Sequence, residues 1–464
     1  MHLVMIGGSD AGISAALRAR ELDPAADVTV VLEDAYPNFS ICGIPYYVSG
    51  EVTHWRNLAH RTHADLEAAG MRLRVDATAR RIDVPGRKLL VTTANGGEEL
   101  LGYDKLVIGT GAVPVRPPIT GLSGPDALGP ADGVHLLHSM GDTFAVMHTL
   151  EQAAPASAVI VGAGYIGLEM ADALTIRGLH VTQMEQLPEV LPTVDPGLGA
   201  LVHAELARHG VEVLTGTTVQ AISTAPPGGS GRLQVQAAAA DGTAVTRTAD
   251  MVLVVVGVRP ETALAADAGA TLGSKGAVAV DPMMRTGLPD IFAAGDCVIT
   301  HHRLLGETYL PLGTTAHKQG RVAGENALGG NRQFAGSLGT QVVKIFDQAA
   351  ARTGLRDREA AAGYDPVTTE TQADDHKAYY PGSHRITIRV TGDRTTGRLL
   401  GMQLFGHKDA EIAKRVDIAA TAIYHGMAVD AVSDLDLSYT PPLGSPWDAV
   451  QMAAQAWVRE TRPR

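Results

Sequence analysis

Cys42 stands in the run Asn38-Phe39-Ser40-Ile41-Cys42-Gly43-Ile44-Pro45-Tyr46-Tyr47. Gly43 and Pro45 predict a turn followed by a helix start. A thiol at a helix N-terminus is drawn toward thiolate, the nucleophilic form. No Cys-x-x-Cys or Cys-x4-Cys pair surrounds it, so its redox chemistry is that of a single sulfur. Cys297, directly after Gly295-Asp296, fits the commoner role of a buried structural cysteine.

Glycine runs that can hold phosphate are the second chemical signal. Gly7-Gly8-Ser9-Asp10-Ala11-Gly12 follows an apolar run of strand length, and Gly162-Ala163-Gly164-Tyr165-Ile166-Gly167 follows another. The second run is a complete G-x-G-x-x-G. In the first, Ser9 takes the middle glycine's place, and its small side chain must point away for the backbone to approach a pyrophosphate. Glu33 comes 21 residues after Gly12 and Glu185 18 residues after Gly167, near the spacing at which an acid reaches ribose hydroxyls. Backbone N–H groups and the helix dipole hold the phosphates. Two dinucleotide sites in one chain imply one tightly held flavin and one exchangeable nicotinamide cofactor. The carboxylate of Gly295-Asp296 can then hydrogen-bond a flavin's ribityl chain.

These residues need strands and helices to carry them. Residues 2–6, a helix over 13–22 and a strand over 27–32 form one βαβ start. Residues 158–161, a helix over 168–177 and a strand over 180–184 form the second. A strand over 99–111 leaves through Gly109-Thr110-Gly111, and another over 249–257 closes at Gly257-Val258-Arg259-Pro260. A strand at 291–294 leads into Gly295-Asp296, so the first unit is interrupted by the second and resumes near 286. Residues 223–241, rich in Ala, Pro and Gly, read as a loose hairpin without chemistry. Strands at 340–345, 385–390 and 399–404, with helices at 410–425 and 447–459, predict a third, α+β domain. The fold class is α/β: two Rossmann-like domains and a C-terminal α+β domain. The boundaries fall at 1–120 and 256–332 for the first domain, 121–255 for the second and 333–464 for the third.

Composition agrees with this reading and removes others. At about 150 residues per domain, 464 residues suggest roughly three. The formal net charge of −12 and an aromatic content of 4% argue against nucleic-acid partners. No apolar run is long enough to span a membrane. Two cysteines exclude a disulfide scaffold or a multi-thiolate metal cage and suggest a reducing, cytoplasmic setting. No secretory leader is expected, since no basic region precedes the first apolar run.

From residue 4 to about 454 the sequence resembles the single-cysteine flavoprotein pyridine nucleotide–disulfide reductases, with coenzyme A disulfide reductases the nearest group. Persulfide reductases and NADH oxidases and peroxidases are the related groups. The marks are the Cys42 run, both glycine loops, Ala294-Gly295-Asp296-Cys297, Tyr379-Tyr380-Pro381-Gly382 and Asp436-Leu437-Ser438-Tyr439-Thr440-Pro441-Pro442. The resemblance implies FAD, a nicotinamide dinucleotide, a redox-active Cys42, a small disulfide or persulfide substrate, and a homodimer assembled by the C-terminal domain; the carboxylate of Glu185, which would repel a 2′-phosphate, makes NADH the expected cofactor over NADPH. It implies that Tyr439 and one of Tyr379 and Tyr380 reach the cysteine of the other subunit as proton donors. Arg18 and Arg20 resemble arginines that hold coenzyme A phosphates, and Asn38 and Ser40 flank the substrate position.

The flavin site is thus expected to use Gly7, Gly8, Ser9, Ala11, Gly12, Glu33, Thr110, Gly111, Arg116, Gly295 and Asp296. The nicotinamide site is expected to use Gly162, Gly164, Tyr165, Ile166, Gly167, Glu185 and Gly257. Two departures stand out. Asn38 replaces the usual Ser of coenzyme A disulfide reductases, which leaves the thiol substrate open. Asp10 replaces the His of NADH peroxidases and oxidases, which argues against peroxide or oxygen as the main acceptor. Besides a disulfide reductase, the residues admit an oxidase or peroxidase working through a Cys42 sulfenic acid, or a flavoprotein redox sensor.

Overall fold

The computed structural model describes residues 1–226 and 231–461. Two compact units divide the chain. The first comprises Met1–Val115, His138–Phe144 and Gly257–Ser337; the second comprises Arg116–Leu137, Ala145–Val256 and Leu338–Arg464.

The first unit is built on a parallel sheet ordered Ile291–Ala293, Lys105–Ile108, His2–Ile6, Asp27–Val31, Met71–Arg74. The central strands are continuous runs of Val, Ile, Leu and Met, as a sheet covered on both faces requires. The helix Asp10–Leu22 leaves the first strand and lies beside the helix Gly313–Ala327. Their contact is unusually close. A methyl built on Gly320 would stand 2.3 Å from the Ala11 carbonyl oxygen, and one on Gly324 would stand 2.2 Å from that of Ala15. Small residues let the two backbones meet directly, and Ala11, Ala15, Ala16 and Ala19 are buried on the facing side.

The second unit repeats the scheme. Its parallel sheet runs Glu212–Leu214, His180–Met184, Ser157–Val161, Met251–Val254, Val134–His135, with the helix Tyr165–Ile176 after the central strand. The same unit holds an antiparallel sheet ordered Gln341–Ile345, Gln348–Gly354, Leu399–His407, Arg385–Asp393, Pro366–Asp374. The helices Ile412–Tyr424 and Ala449–Thr461 pack on this sheet. Buried polar contacts join the two sheets' layers: Lys344 pairs with Asp172 at 2.8 Å, and Gln403 donates to Asp195 at 2.7 Å.

Three expectations need correction. The strand expected over 99–111 is two strands, Glu98–Gly102 in a small antiparallel sheet and Lys105–Ile108 in the parallel one. The Tyr103 N–H bonds to the Arg87 carbonyl at that corner and ends the first ladder. The loose hairpin over 223–241 is a regular one: Thr217–Thr224 pairs with Leu233–Ala239, and Ala244–Ala249 adds a third strand. Residues 227–230 of that segment lie outside the described residues. The strand over 249–257 is the shorter Met251–Val254, while Val258–Pro260 turns away to pair with Ala112–Pro114.

Gly324→Ala should destabilise the protein by about 2 kcal/mol, because overpacking against backbone outweighs the ~1 kcal/mol gain in helix propensity. Gly141→Ala, in the helix Met140–His148 where the added methyl meets only Ser139 Oγ at 3.6 Å, should not. Thermal melting of the two variants checks the contrast.

Candidate active site

The two glycine loops have the same geometry. The Gly7 N–H donates to the Val31 carbonyl at 2.8 Å and the Gly162 N–H to that of Met184 at 2.8 Å. Their φ angles are 104° and 106°, a region that favours glycine. A methyl on Gly12 would lie 2.0 Å from the Gly7 carbonyl oxygen, and one on Gly167 would lie 2.1 Å from that of Gly162. These last glycines let each helix start against its strand. Ser9 and Gly164 are the matching N-cap positions. Ser9 is exposed and its side chain caps nothing, and a methyl on Gly164 would meet nothing within 4 Å. Both loops thus present open backbone where a pyrophosphate would sit.

In the second loop, Glu185 ends its strand and lies over the glycines, accepting the Ala163 N–H at 2.8 Å and the Leu187 N–H at 2.9 Å. Each oxygen keeps a lone pair for a ribose hydroxyl. Tyr165 is half-buried, its hydroxyl accepts from Thr193 at 3.2 Å, and desolvation pushes its phenol up to about 12. Ile166 opens the helix beside it. Gly257 belongs to the other compact unit, where its carbonyl accepts the Val115 N–H.

Around the first loop, Gly8 packs under Leu32 and Glu33 is exposed just beyond the strand. The Thr110 hydroxyl donates to the Glu261 carbonyl, and Gly111 has a φ of 71°. Gly295 rests against the Ala11 methyl, and its N–H donates to Gln319 at 3.0 Å. Asp296 follows, its carboxyl pushed up to about 6 by desolvation and then by repulsion from Asp10. A carboxyl this poorly solvated gains from a hydroxyl donor, which is what a ribityl chain offers. The residues fit a flavin. Arg116 falls in the second unit, exposed, near the Leu122 carbonyl.

A strap carries Cys42 to this loop. The Asn38 N–H donates to the Gly8 carbonyl at 2.7 Å, the His60 N–H to the Asn38 carbonyl at 2.9 Å, and the Ser40 N–H to the Leu58 carbonyl at 2.8 Å. Tyr36, Phe39, Trp55 and Phe144 interlock with ring centroids 5.2–5.8 Å apart and anchor the strap by packing. Asn38 has a φ of 58°, which Asn tolerates far better than most residues. The Asn38 Oδ1 is buried with no hydrogen-bond partner. Cys42 is exposed in the short turn Ile41–Gly43, just before the helix Ile44–Ser49. Cys297 is fully buried, its thiol raised by desolvation and pointed at the Ala294 carbonyl.

Arg18 is ion-paired with Glu21 and Glu325, and Arg20 donates to the carbonyls of Ala69 and Ala26. Both have internal partners. Tyr379, Tyr380 and Tyr439 lie in the second unit, all exposed. Partial desolvation, then Tyr379, raises the Tyr439 phenol. One group escaped the sequence reading. The His317 Nε2 lies 3.3 Å from Asp10, so the first glycine loop has an imidazole against it, from a helix that begins three hundred residues away. Only the helical spacing of His317 with Gly313 and Gly320 could have hinted at it.

Residues 1–320 match the pyridine nucleotide-disulphide oxidoreductase model, and residues 340–449 match that family's dimerisation domain. The chain belongs to this family. It is an FAD-dependent NAD(P)H oxidoreductase. It is 33% identical to the NAD(P)H sulfur oxidoreductase (CoA-dependent) of Pyrococcus furiosus, over 98% of both chains. To the NADH oxidase of Methanocaldococcus jannaschii it is 31% identical, again over 98% of both. The structure of a NAD-dependent persulfide reductase from A. fulgidus superposes with a TM-score of 0.91 at 36% identity, covering 99% of this chain and 83% of that one. Among the described residues, no helix is long and apolar enough to cross a membrane.

The oxidoreductase should prefer NADH. Glu185 repels a 2′-phosphate, and residues 183–190 contain no Arg or Lys to hold one. Glu185→Ala should narrow the gap by raising KM for NADH about tenfold, as loss of a charged hydrogen bond implies. Steady-state kcat/KM with both cofactors checks this, and equal efficiency in the parent protein would contradict it.

Proposed function

We propose that electrons pass from NADH through the bound flavin to Cys42, and from there to a small disulfide or persulfide, coenzyme A disulfide being the leading case. One observation carries the reading: an exposed thiol on a strap hydrogen-bonded to the flavin-binding glycine loop. The relatives named for coenzyme A-dependent sulfur reduction and persulfide reduction support the substrate class.

FAD supplies a two-electron carrier between nicotinamide hydride and sulfur. The Cys42 thiolate attacks one sulfur of RS–SR; the Cys42–S bond forms as the S–S bond breaks, releasing RS⁻. Two electrons from NADH then cleave the mixed disulfide, returning the Cys42 thiolate and the second thiol. The sum is RSSR + NADH + H⁺ → 2 RSH + NAD⁺, so one proton must be taken up. Tyr439, whose raised phenol holds its proton, is our donor to the leaving thiolate, assisted by Tyr379 or Tyr380. The dimerisation domain carries these tyrosines, and the reading gives each Cys42 the Tyr439 of a second copy. A reducing compartment such as the cytoplasm suits an exposed working thiol.

A second reading sends the electrons to oxygen or peroxide through a Cys42 sulfenic acid. The imidazole against Asp10 favours it, because that removes the argument from Asp10 alone, and one relative is named NADH oxidase.

Cys42→Ser should abolish disulfide turnover while the flavin stays bound and is still reduced by NADH; Cys297→Ser should keep most activity. Tyr439→Phe should slow turnover roughly ten- to ten-thousand-fold, and mixing its chains with Cys42→Ser chains should restore activity by forming one intact site per heterodimer. Disulfide turnover and oxygen uptake are measured together. Oxygen uptake exceeding disulfide turnover would favour the second reading, and turnover surviving Cys42→Ser would overturn both.

A further inference from the structure

The segment that follows Glu185 is bound to the second glycine loop at three points. The Leu187 N–H donates to the Glu185 carboxylate, and the Leu191 N–H donates to the Ala163 carbonyl at 2.9 Å. At Thr193 the segment meets the loop again, its hydroxyl donating to the Tyr165 hydroxyl at 3.2 Å. Between these points Leu191 is fully buried with a φ of 49°. A leucine keeps this left-handed conformation only where its surroundings impose it.

Two buried arginines from the C-terminal part of the same compact unit impose it. Arg352, on the strand Gln348–Gly354, donates to the Thr193 carbonyl at 2.6 Å. Arg356 donates to the Pro192 carbonyl at 2.6 Å and to the Val194 carbonyl at 3.1 Å. Glu359 accepts from both guanidinium groups. Three successive carbonyls thus converge on two cations that share one carboxylate. Burial alone would raise the Glu359 carboxyl, but hydrogen bonds from Arg356 and then Arg352 reverse that and hold it at about 2, so it stays charged. Buried cations need such acceptors, and a carbonyl turned toward one cannot turn away without leaving it unpaired.

We infer that Arg352 and Arg356 are positioning residues for NADH, holding residues 191–194 in the arrangement that presents Tyr165 and the second glycine loop to the dinucleotide. The inference rests on that loop being the nicotinamide dinucleotide site. Both arginines act through the segment, and both belong to the part of the chain that matches the dimerisation domain. That domain therefore completes a cofactor site within its own chain. Loss of either guanidinium frees the carbonyl it held. Leu191 then relaxes out of the left-handed region, and the bonds to Ala163 and Tyr165 lengthen. The loss falls equally on the ground state and the transition state for hydride transfer, so it weakens NADH binding without slowing the chemical step.

Anaerobic stopped-flow reduction of the bound flavin by NADH separates binding from chemistry, giving a half-saturating NADH concentration and a limiting rate without any disulfide substrate. R352M and R356M, which keep an apolar stem, should each raise half-saturation about tenfold while the limiting rate stays within about twofold. The double variant R352M/R356M should fall short of the product of the two effects, since both arginines hold one segment. R352K should lie between R352M and the parent. R394Q, at an exposed arginine of the same unit paired with Asp365 at 3.6 Å, should change neither quantity. A purely structural role would lower melting temperature and flavin content and leave half-saturation as it was. If the arginine variants do not fold, T193V decides: it removes only the hydroxyl on Tyr165 and should raise half-saturation about fivefold. Unchanged half-saturation in folded R352M and R356M, or in T193V where those do not fold, would overturn the inference. Glu185→Ala without effect on half-saturation would instead remove the reading of the loop on which it rests.

Discussion

The close approach of two helices, made possible by Gly320 and Gly324, sets the positions of most groups at the flavin loop. Asp10–Leu22 starts at the glycine loop, and Gly313–Ala327 reaches it only because no side chain separates their backbones. At that separation Gln319 accepts the Gly295 N–H and fixes the turn that carries Asp296. Two residues earlier, His317 meets Asp10 and Ser14; further along, Arg18 meets Glu325. Backbone contact of this kind has few alternatives: a methyl at either glycine needs the helices to separate, and every one of these polar contacts would lengthen together.

The electrostatics follow from the same packing. Poor solvation raises the carboxyls of both Asp10 and Asp296, and repulsion from Asp10 raises Asp296 further. A flavin ribityl hydroxyl relieves Asp296; an imidazole relieves Asp10. The second glycine loop has the same backbone without this burden. Glu185 there is satisfied by two backbone N–H groups. One loop architecture, used twice, therefore offers one site lined by two raised carboxyls and one plain nucleotide cradle.

Much of this was legible in the sequence, because local backbone demands leave local signatures. The glycine pattern, the acids after each second strand and the Cys42 run each need residues close together in the chain. What was hidden depends on separation. His317 is 307 residues from Asp10, and nothing at either position announces the contact. The break at Tyr103 was missed because Glu98–Gly102 and Lys105–Ile108 are both strands, and only a hydrogen bond to Arg87 reveals that they belong to different sheets. The positive φ of Asn38 was hidden too: it is a property of the folded strap, not of the sequence around it.

The claim that matters most is that Cys42 is the electron exit from the flavin. An anaerobic NADH titration, followed by flavin absorbance after Cys42 has been converted to a mixed disulfide with coenzyme A, tests it directly. Full bleaching should take about two NADH per chain, one to reduce the mixed disulfide and one to reduce the flavin, with one coenzyme A thiol released; the Cys42→Ser protein should take about one. Bleaching with one equivalent in both proteins, with the coenzyme A still attached to Cys42, would contradict the account.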